Sequence, residues 1–283
     1  MNIVVALGKE YCQHTGVMLY SLIKNTHYLN DINLYIVTDS FDIAPYKKLV
    51  NFSKKIGYKV NLIRFDSQTI SSFPVTHHIS IATYFRLLLP ELLPNNINKI
   101  LYLDSDIIIQ GDVQELWNTN LNNLPLAAVR DHLHYKSRRE IFDIKESSLY
   151  FNGGILLIDL EKWRNRGMSS MLVEFIQSNP DKILWWDQDA LNGVFGNEYL
   201  LLEDKWNVQT SYIDKHNSTD YTNFNIIHYT SEKKPWLYQS NHPLKEYYFK
   251  YLKYTPWWHY PYILAFNVKL EKLRHRIRKL LNF

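Results

Sequence analysis

The sequence is short of cysteine and of long apolar runs, and each shortage excludes a class of protein. Cys12 is the one cysteine among 283 residues, so neither an intramolecular disulfide nor a four-cysteine zinc site is available. We therefore expect a reducing, cytosolic setting. No stretch reaches the roughly 18 consecutive apolar residues that a transmembrane helix needs, and the start, MNIVVALGKEYCQHTG, has no basic leader. Neither a membrane span nor a signal peptide is expected.

An excess of basic over acidic residues is likewise absent from most of the chain. The net charge of the sequence is +4. Residues 255–283 have six basic side chains and one acid, so the net charge of this segment alone exceeds that of the whole sequence. The remainder is nearly neutral, which excludes the broad basic face of a nucleic-acid-binding protein. Hydrophobic residues, in contrast, make up 46% of the sequence, enough for a sizeable core.

The distribution of those apolar residues predicts an α/β fold built from βαβ units. Strands are predicted at 2–7, 32–39, 59–66, 99–104, 126–131, 154–160, 198–204 and 225–230. Helices are predicted at 15–26, 43–57 and 80–93, and near 168–179 and 187–195. Because no internal repeat or low-complexity linker interrupts this pattern, we expect one domain over residues 1–240 and an extension over residues 241–283.

Two carboxylates interrupt a strongly apolar run, ILYLDSDIII at residues 100–109. A buried carboxylate without a partner costs several kcal/mol, so the pair is expected at the carboxyl end of the strand, where α/β sheets bind ligands. Asp104 and Asp106 are two positions apart, which suits a hard divalent cation such as Mg²⁺ or Mn²⁺. The alternative is an ordinary Asp-Ser-Asp turn.

Three further segments carry polar residues beside predicted strands or helices. NIIHYTSEKKPW (225–236) offers His228, a nitrogen ligand that would favour Mn²⁺, and Lys234, a charge for phosphate; a solvated turn is the alternative. In YFNGG (150–154) the glycines permit close approach of a ligand, beside the amide of Asn152, or form a simple bulge. WWDQDALNG (185–193) opens a helix with two acids, of which helix capping explains one.

Taken together and in this order, these segments resemble glycosyltransferase family 8, the retaining GT-A enzymes that include bacterial lipopolysaccharide galactosyl- and glucosyltransferases and glycogenin. The resemblance implies a GT-A-type α/β/α sandwich with a mostly parallel central sheet. It also implies a metal-dependent retaining hexosyltransferase, which moves glucose or galactose from a UDP-sugar to a glycan or glycolipid acceptor such as lipopolysaccharide or capsule. The matching segments are HISIATYFRLLLPELL, KILYLDSDIIIQGDVQELWNTNL, YFNGGILLIDLEKWR, WWDQDALNGVF and IIHYTSEKKPW.

The resemblance assigns roles to individual residues. Asp104, Asp106 and His228 correspond to the ligands of Mn²⁺, or Mg²⁺. Gln188 corresponds to the residue on the reacting face of the sugar, and Asp187 and Asp189 are candidates for a covalent role. The other positions carried over to donor or acceptor binding are Ala6, Gly8, Tyr11, His78, Arg86, Asp104, Ser105, Asn152, Gly153, Asp187, Gln188, Ser231 and Lys234.

The sequence departs from the family pattern at two points. Gly8 and Lys9 stand where the family has acids that pair with uracil, so strict uridine selectivity is open, and Ser231 replaces a glycine after the metal histidine. The polar segments 132–147 and 205–222 are interpreted as acceptor loops.

The residue at the reacting face suggests how the configuration is retained. Because Gln188 is an amide and a poor nucleophile, we favour front-face displacement with internal return. Trapping of a glycosyl adduct on Asp187 or Asp189 would overturn that hypothesis.

Residues 254–283 begin with aromatics and end in a basic amphipathic pattern. Such a segment is typical of a helix on an anionic membrane surface, so we expect a cytoplasmic protein peripheral to the inner face of the membrane. Packing on the protein itself or on a second subunit is the alternative.

Two rival functions are a degenerate sugar-binding protein and a haloacid-dehalogenase-type phosphatase. The phosphatase pattern, however, has Thr or Val where this chain has Ile108.

Overall fold

The computed structural model describes residues 1–27, 32–39, 42–66, 81–133, 135–216, 223–230, 232–237 and 240–261. Its strands are β1 (Asn2–Ala6), β2 (Asn33–Thr38), β3 (Lys59–Arg64), β4 (Lys99–Leu103), β5 (Ile107–Ile109), β6 (Leu126–Arg130), β7 (Phe151–Asp159), β8 (Leu200–Leu201), β9 (Val208–Gln209) and β10 (Ile226–His228).

Helices alternate with these strands, as the sequence predicts. The α-helices are α1 (Cys12–Asn25), α2 (Ala44–Lys55), α3 (Leu89–Leu92), α4 (Val113–Trp117), α5 (Tyr135–Ile141), α6 (Leu160–Asn165), α7 (Met168–Ser178), α8 (Trp186–Phe195), α9 (Thr210–His216) and α10 (Lys245–Leu252). The helix predicted at 80–93 differs: residues Ile81–Leu88 form a 3₁₀ helix that continues into α3. A proline at position 90, in the first turn of α3, is compatible with this start because that N–H has no helical partner.

The central sheet has seven strands in the order β3-β2-β1-β4-β7-β6-β8. Four of the six strand pairs are parallel, and β7 is antiparallel to both of its neighbours, β4 and β6. The predicted mostly parallel α/β sheet is therefore confirmed. The antiparallel direction of β7 means that its first residues lie at the same edge as the last residues of β4.

The long apolar run of the sequence forms two strands in two sheets. β4 ends at Leu103, the two aspartates follow in a turn, and Ile107–Ile109 begin β5 in a second sheet of order β5-β10-β9. The prediction of a single strand at 99–104 did not include β5. The carboxylates interrupt the apolar run because the chain leaves one buried sheet and enters another at that point.

Apolar side chains cover both faces of the central sheet. Along β4, Leu101 and Leu103 join the core beneath α1 and α2, whereas Ile100 and Tyr102 join the core beneath the 3₁₀ helix, α7 and α8. Burial on both faces is what a near-continuous apolar strand requires. This arrangement is an α/β/α sandwich, as predicted.

The described part of the C-terminal extension packs against the N-terminal part of the chain. Tyr248 of α10 is 1% exposed, and its hydroxyl lies 2.7 Å from Nδ1 of His14 and 3.0 Å from Nε2 of Gln13, both in α1. Its ring also contacts Trp236 at 5.2 Å between ring centroids. Residues 262–283, which include the predicted basic helix, lie outside the described residues. In the described part of the chain, no helix combines the length and apolarity needed to cross a bilayer.

Candidate active site

Four strand ends meet at one edge of the central sheet and carry the polar residues singled out from the sequence. β1 and β4 end there in parallel, so Ala6 and Asp104 lie on neighbouring strands. β7 begins there, and the amide N–H of Asp104 donates to the carbonyl of Gly154 at 2.8 Å. β6 ends there one residue before Asp131. Segments far apart in sequence therefore converge at the ligand-binding edge of the fold.

Asp104, Asp106 and His228 converge as the sequence predicts. Nε2 of His228 lies 3.4 Å from Oδ1 of Asp106 and 3.8 Å from Oδ2 of Asp104. One ligand atom from each residue lies within 4.8 Å of the other two. β10 brings the histidine there because it pairs antiparallel with β5, opposite Ile107. Two carboxylate oxygens and one imidazole nitrogen form a candidate site for a divalent cation.

A glycine makes the approach of these three residues sterically feasible. A Cβ atom at Gly154 would lie 2.3 Å from Cε1 of His228 and 2.8 Å from Oδ2 of Asp104. Both distances are far below a van der Waals contact, so only glycine permits the strand to pass behind the cluster. The second glycine of the Asn-Gly-Gly segment therefore serves the metal site, and a simple bulge does not explain it.

The other oxygen of each aspartate is held by a cation of the protein. Nη2 of Arg86 lies 3.0 Å from Oδ1 of Asp104, and Nζ of Lys234 lies 2.6 Å from Oδ2 of Asp106. Burial opposes ionisation of Asp106, but Lys234 and His228 outweigh it and hold the pKa of that carboxyl well below its usual range. For Asp104 burial dominates over Arg86, and its pKa is raised. Each carboxylate thus presents one oxygen to the cluster.

Arg86 connects the metal cluster to the segment that opens α8. Its Nε lies 2.7 Å from Oδ2 of Asp187, and its Nη1 donates to the carbonyl of Gly153. The guanidinium also lies over the ring of Tyr102, 4.6 Å from the ring centroid. Arg86 is 6% exposed, so these partners are what make a buried charge tolerable there.

Asp187 is buried beside Arg86, and the pKa of its carboxyl is raised. Burial raises the pKa of this carboxyl to about 6 and outweighs the attraction of Arg86. The hydroxyl of Thr83 donates to Oδ1 of Asp187 at 3.2 Å and acts in the opposite direction, stabilising the charged form.

Gln188 and Asn152, which the resemblance assigns to the donor sugar, lie side by side. Oε1 of Gln188 accepts from Nδ2 of Asn152 and from the N–H of Gly153, both at 3.0 Å. Nε2 of Gln188 donates to Oδ2 of Asp131 at 3.1 Å. The amide of Gln188 is thus oriented by partners on both sides.

Asp189 is in a different environment, which argues against the covalent role considered for it. It is completely buried, and each of its oxygens already accepts hydrogen bonds from groups of the protein. Oδ1 accepts from the Tyr150 hydroxyl at 2.7 Å and from Nε of Arg138 at 3.0 Å. Oδ2 accepts from Nη2 of Arg138 and from the N–H groups of Leu184 and Trp185. This carboxylate fixes the start of α8, and both of its oxygens are engaged by groups of the protein.

The residues expected on the nucleotide side lie at the end of β1. Ala6 is its last residue, Gly8 precedes the 3₁₀ helix Lys9–Tyr11, and the Tyr11 ring is 37% exposed above the edge. Ser105 is buried and accepts a hydrogen bond from Thr15 of α1 at 2.8 Å, so it supports the turn between the aspartates. His78 and Ser231 lie outside the described residues.

Three residues of the site were not anticipated from the sequence. Oδ1 of Asn207 lies 2.9 Å from Nδ1 of His228, Asp131 partners Gln188, and Arg138 partners Asp189. Arg138 and Asn207 fall in segments interpreted as acceptor loops, where α5, β9 and α9 form instead of irregular structure. The signal that identifies Asp131 is its position as the last residue of the strand predicted at 126–131.

Comparisons with known proteins agree with this geometry. The family profile described as Glycosyl transferase family 8 matches residues 2–240. General stress protein A of Bacillus subtilis is 29% identical over 272 residues, which cover 91% of this chain and 94% of that protein. Lipopolysaccharide 1,3-galactosyltransferase of Salmonella typhimurium is 27% identical, and the alignment covers 99% of this chain and 86% of that enzyme.

A solved structure extends the agreement to the fold. Galactosyltransferase LgtC in complex with donor and acceptor sugar analogs matches with a TM-score of 0.80 and 25% identity. The match covers 90% of this chain and 96% of LgtC. The family profile spans most of the sequence, including every residue of the candidate metal cluster. The chain belongs to glycosyl transferase family 8.

Proposed function

We propose that this glycosyltransferase moves a hexose, glucose or galactose, from a UDP-sugar to a glycan or glycolipid acceptor, with retention at the anomeric carbon. The observation that carries the proposal is the cluster of Asp104, Asp106 and His228, flanked by Arg86 and Lys234. Relatives of similar length include a lipopolysaccharide 1,2-glucosyltransferase of Escherichia coli and the 1,3-galactosyltransferase of Salmonella typhimurium. Both names support a hexosyl donor and a saccharide acceptor.

Mn²⁺, or Mg²⁺, is the cofactor that we propose for the cluster, held by Asp104, Asp106 and His228. The mixed oxygen and nitrogen ligands favour Mn²⁺. When bound, the ion would supply Lewis-acid stabilisation of the diphosphate leaving group. Lys234, 2.6 Å from Asp106, supplies a further positive charge beside the same position. Arg86 supports Asp104 from the side of the donor sugar.

The donor sugar would contact Arg86, Asn152, Gly153, Asp187 and Gln188, and the nucleotide would contact Ala6, Gly8, Tyr11 and Ser105. In this arrangement Tyr11 would stack on the base. No carboxylate stands at position 8, so recognition of uracil would rely on main-chain groups of Ala6 and Gly8. Ser231 and Lys234 would close on the diphosphate, and His78 would face the acceptor.

Retention is assigned to front-face displacement. Asp187 is ion-paired with Arg86 and Asp189 is enclosed by Arg138 and Tyr150, so neither carboxylate is assigned the role of nucleophile. Gln188 presents an amide, whose dipole can stabilise the oxocarbenium-like charge that develops on the sugar. Asp187 and Gln188 are therefore assigned to substrate binding and charge stabilisation, without a covalent intermediate.

The extension over residues 241–283 is proposed to hold the protein on the anionic inner face of the membrane. The six basic side chains of residues 255–283 and the aromatic residues that precede them support this assignment. Deletion of residues 262–283 is expected to release the protein from anionic vesicles at low salt, with Mn²⁺-dependent UDP release retained. A full-length chain that does not bind such vesicles would contradict the assignment.

The function is tested by a donor screen. Purified protein is titrated with UDP-glucose, UDP-galactose and GDP-mannose in the presence of Mn²⁺, and release of the nucleoside diphosphate is then measured with and without chelator. We expect binding of one or both UDP-hexoses and release of UDP that stops on chelation. Binding without release would support the degenerate sugar-binding protein instead. Release of inorganic phosphate from a phosphomonoester, with no UDP release from the UDP-hexoses, would support a phosphatase.

A further inference from the structure

A chain of hydrogen bonds runs from the metal histidine to the glutamine on the sugar side. Nδ1 of His228 lies 2.9 Å from Oδ1 of Asn207, and Nδ2 of Asn207 donates to Oδ1 of Asn152 at 2.9 Å. Nδ2 of Asn152 donates to Oε1 of Gln188 at 3.0 Å, and Nε2 of Gln188 donates to Asp131 at 3.1 Å. Asn207 is completely buried at the centre of this chain.

The donor and the acceptor of every hydrogen bond in this network are determined by the groups at its two ends, His228 and Asp131. A histidine that faces a metal through Nε2 must carry its proton on Nδ1, so Asn207 accepts from it. The amide of Asn207 is then free to donate only to Asn152, and Asn152 donates in turn to Gln188. The chain ends on the carboxylate of Asp131, which accepts only. Reversing any one amide would bring two oxygens or two N–H groups together.

We propose that Asn207 is a positioning residue that sets the tautomer of His228 and, through Asn152, the orientation of the Gln188 amide. This inference rests on the proposed function, because it assigns the metal site and the sugar site to one oriented network. Asn207 immediately precedes β9, which pairs with β10 so that Gln209 is opposite His228. Its backbone N–H donates to Asp204 at 3.0 Å, which fixes its position independently of the two sites.

The two functions of Asn207 are separated by two substitutions of similar size. Asn207→Asp keeps an oxygen that accepts from His228 but has no N–H for Asn152. We expect it to bind Mn²⁺ as tightly as the wild type or more tightly, with kcat lowered about 10-fold or more. Asn207→Leu removes both groups, and its Mn²⁺ affinity should also fall, by about 10- to 100-fold.

Three measurements test this separation. Mn²⁺ affinity is measured by electron paramagnetic resonance of the free ion, and kcat by UDP release with saturating metal. Long-range ¹H–¹⁵N correlation spectra of the metal-free protein report which ring nitrogen of His228 is protonated, with His228→Gln used for assignment. We expect the Nδ1–H tautomer in the wild type and in Asn207→Asp, and a mixture of tautomers in Asn207→Leu.

Asn25→Asp is the matched control for structural damage. The amide of Asn25 donates to two carbonyls and to the Tyr251 hydroxyl, all away from the candidate active site. This variant should lose thermal stability while keeping wild-type Mn²⁺ affinity and kcat. If Asn207→Asp lowers Mn²⁺ affinity and kcat by the same factor, or leaves kcat unchanged, the coupling role is wrong.

Failure of this inference is distinguishable from failure of the proposed function. If the wild type binds no Mn²⁺ and releases no UDP, the proposed function fails, and the tautomer spectra alone decide whether Asn207 orients His228. If the wild type binds Mn²⁺ and releases UDP while both Asn207 variants match it in all three measurements, only the positioning role is overturned.

Discussion

Two Asp-x-Asp triplets of this chain have the same spacing and opposite outcomes. Asp104 and Asp106 lie in a turn between two strands, where both carboxylates approach His228. Asp187 and Asp189 lie in the first turn of α8, where residues two apart point about 200° away from each other. Spacing alone therefore does not make a metal site. The backbone conformation decides whether two acids converge or part.

The helical pair divides between two arginines. Asp187 pairs with Arg86, whereas Asp189 is completely buried and pairs with Arg138. Arg86 also pairs with Asp104, so it links the two triplets directly. We therefore propose roles in metal or substrate binding for three of the four carboxylates and a structural role for Asp189.

The largest expected effect tests that structural role. Asp189→Asn should lower the free energy of unfolding by about 3–5 kcal/mol, because it leaves the buried guanidinium of Arg138 without its counter-charge. Asp187→Asn is the matched control in the same helical turn, and we expect a smaller loss because Arg86 keeps Asp104 as a partner. Urea denaturation of both variants measures the difference. Equal losses would contradict the division between the two residues.

The second largest effect is expected for the pair of carboxylates that approach His228, Asp104 and Asp106. Asp106→Asn should lower kcat/KM for UDP release at least about 100-fold, or about 2.7 kcal/mol, because one ligand of the metal cluster loses its charge. Thermal stability should also fall, because Lys234 loses the carboxylate with which it pairs at 2.6 Å.

Asp112→Asn is the control for this change. Asp112 caps α4 by accepting from the N–H of Gln114, and asparagine caps helices equally well. It should leave Mn²⁺ affinity and kcat/KM unaltered. Wild-type affinity for Mn²⁺ in Asp106→Asn would show that the turn does not hold the ion.

The smallest effect concerns the protonation of Asp187. Because its pKa in the folded protein is about 6, above the ordinary value of 3.8, folding takes up a proton between these pH values. The free energy of unfolding should therefore rise as the pH falls through this window, while UDP release falls because the ion pair with Arg86 is lost. Measurements from pH 4 to pH 8 on the wild type and Asp187→Asn should show a larger rise in the wild type than in the variant, where the raised pKa of Asp104 still contributes.

Thr83→Val refines the same prediction. Loss of the hydroxyl that donates to Asp187 removes about 0.5–1.5 kcal/mol of stabilisation of the charged form. The acidic limb of the rate profile should then move upward by up to about one pH unit. An unchanged limb would show that another group controls it.

Much of the fold was predictable because apolar periodicity is a local property. The strands at the start of the chain and the helices α7 and α8 match their predicted positions within a few residues. The direction of β7 and the existence of β5 were not predictable, since both depend on pairing with distant segments. The strand predicted at 198–204 is reduced to Leu200–Leu201 at the sheet edge for the same reason.

The residues of the candidate site likewise include some that the sequence identified and some that it did not. Asp104, Asp106, His228 and Gln188 were identified because each stands out against an apolar or helical background. Asn207 was missed because it lies in a polar segment where an asparagine is unremarkable, and only the pairing of β9 with β10 reveals its partner. Supporting residues of this kind carry no local signal, since their role is defined by what they contact.

The packing of α10 on α1 has a practical consequence for how the protein is divided. The family profile ends at residue 240, yet the Tyr248 hydroxyl lies within hydrogen-bonding distance of Gln13 and His14, and its ring covers Trp236. A protein truncated at residue 240 would uncover an aromatic surface beneath Tyr11. Recombinant fragments intended for donor binding should therefore extend through residue 261. They would then keep the contacts of Tyr248 with α1 and Trp236 beneath Tyr11.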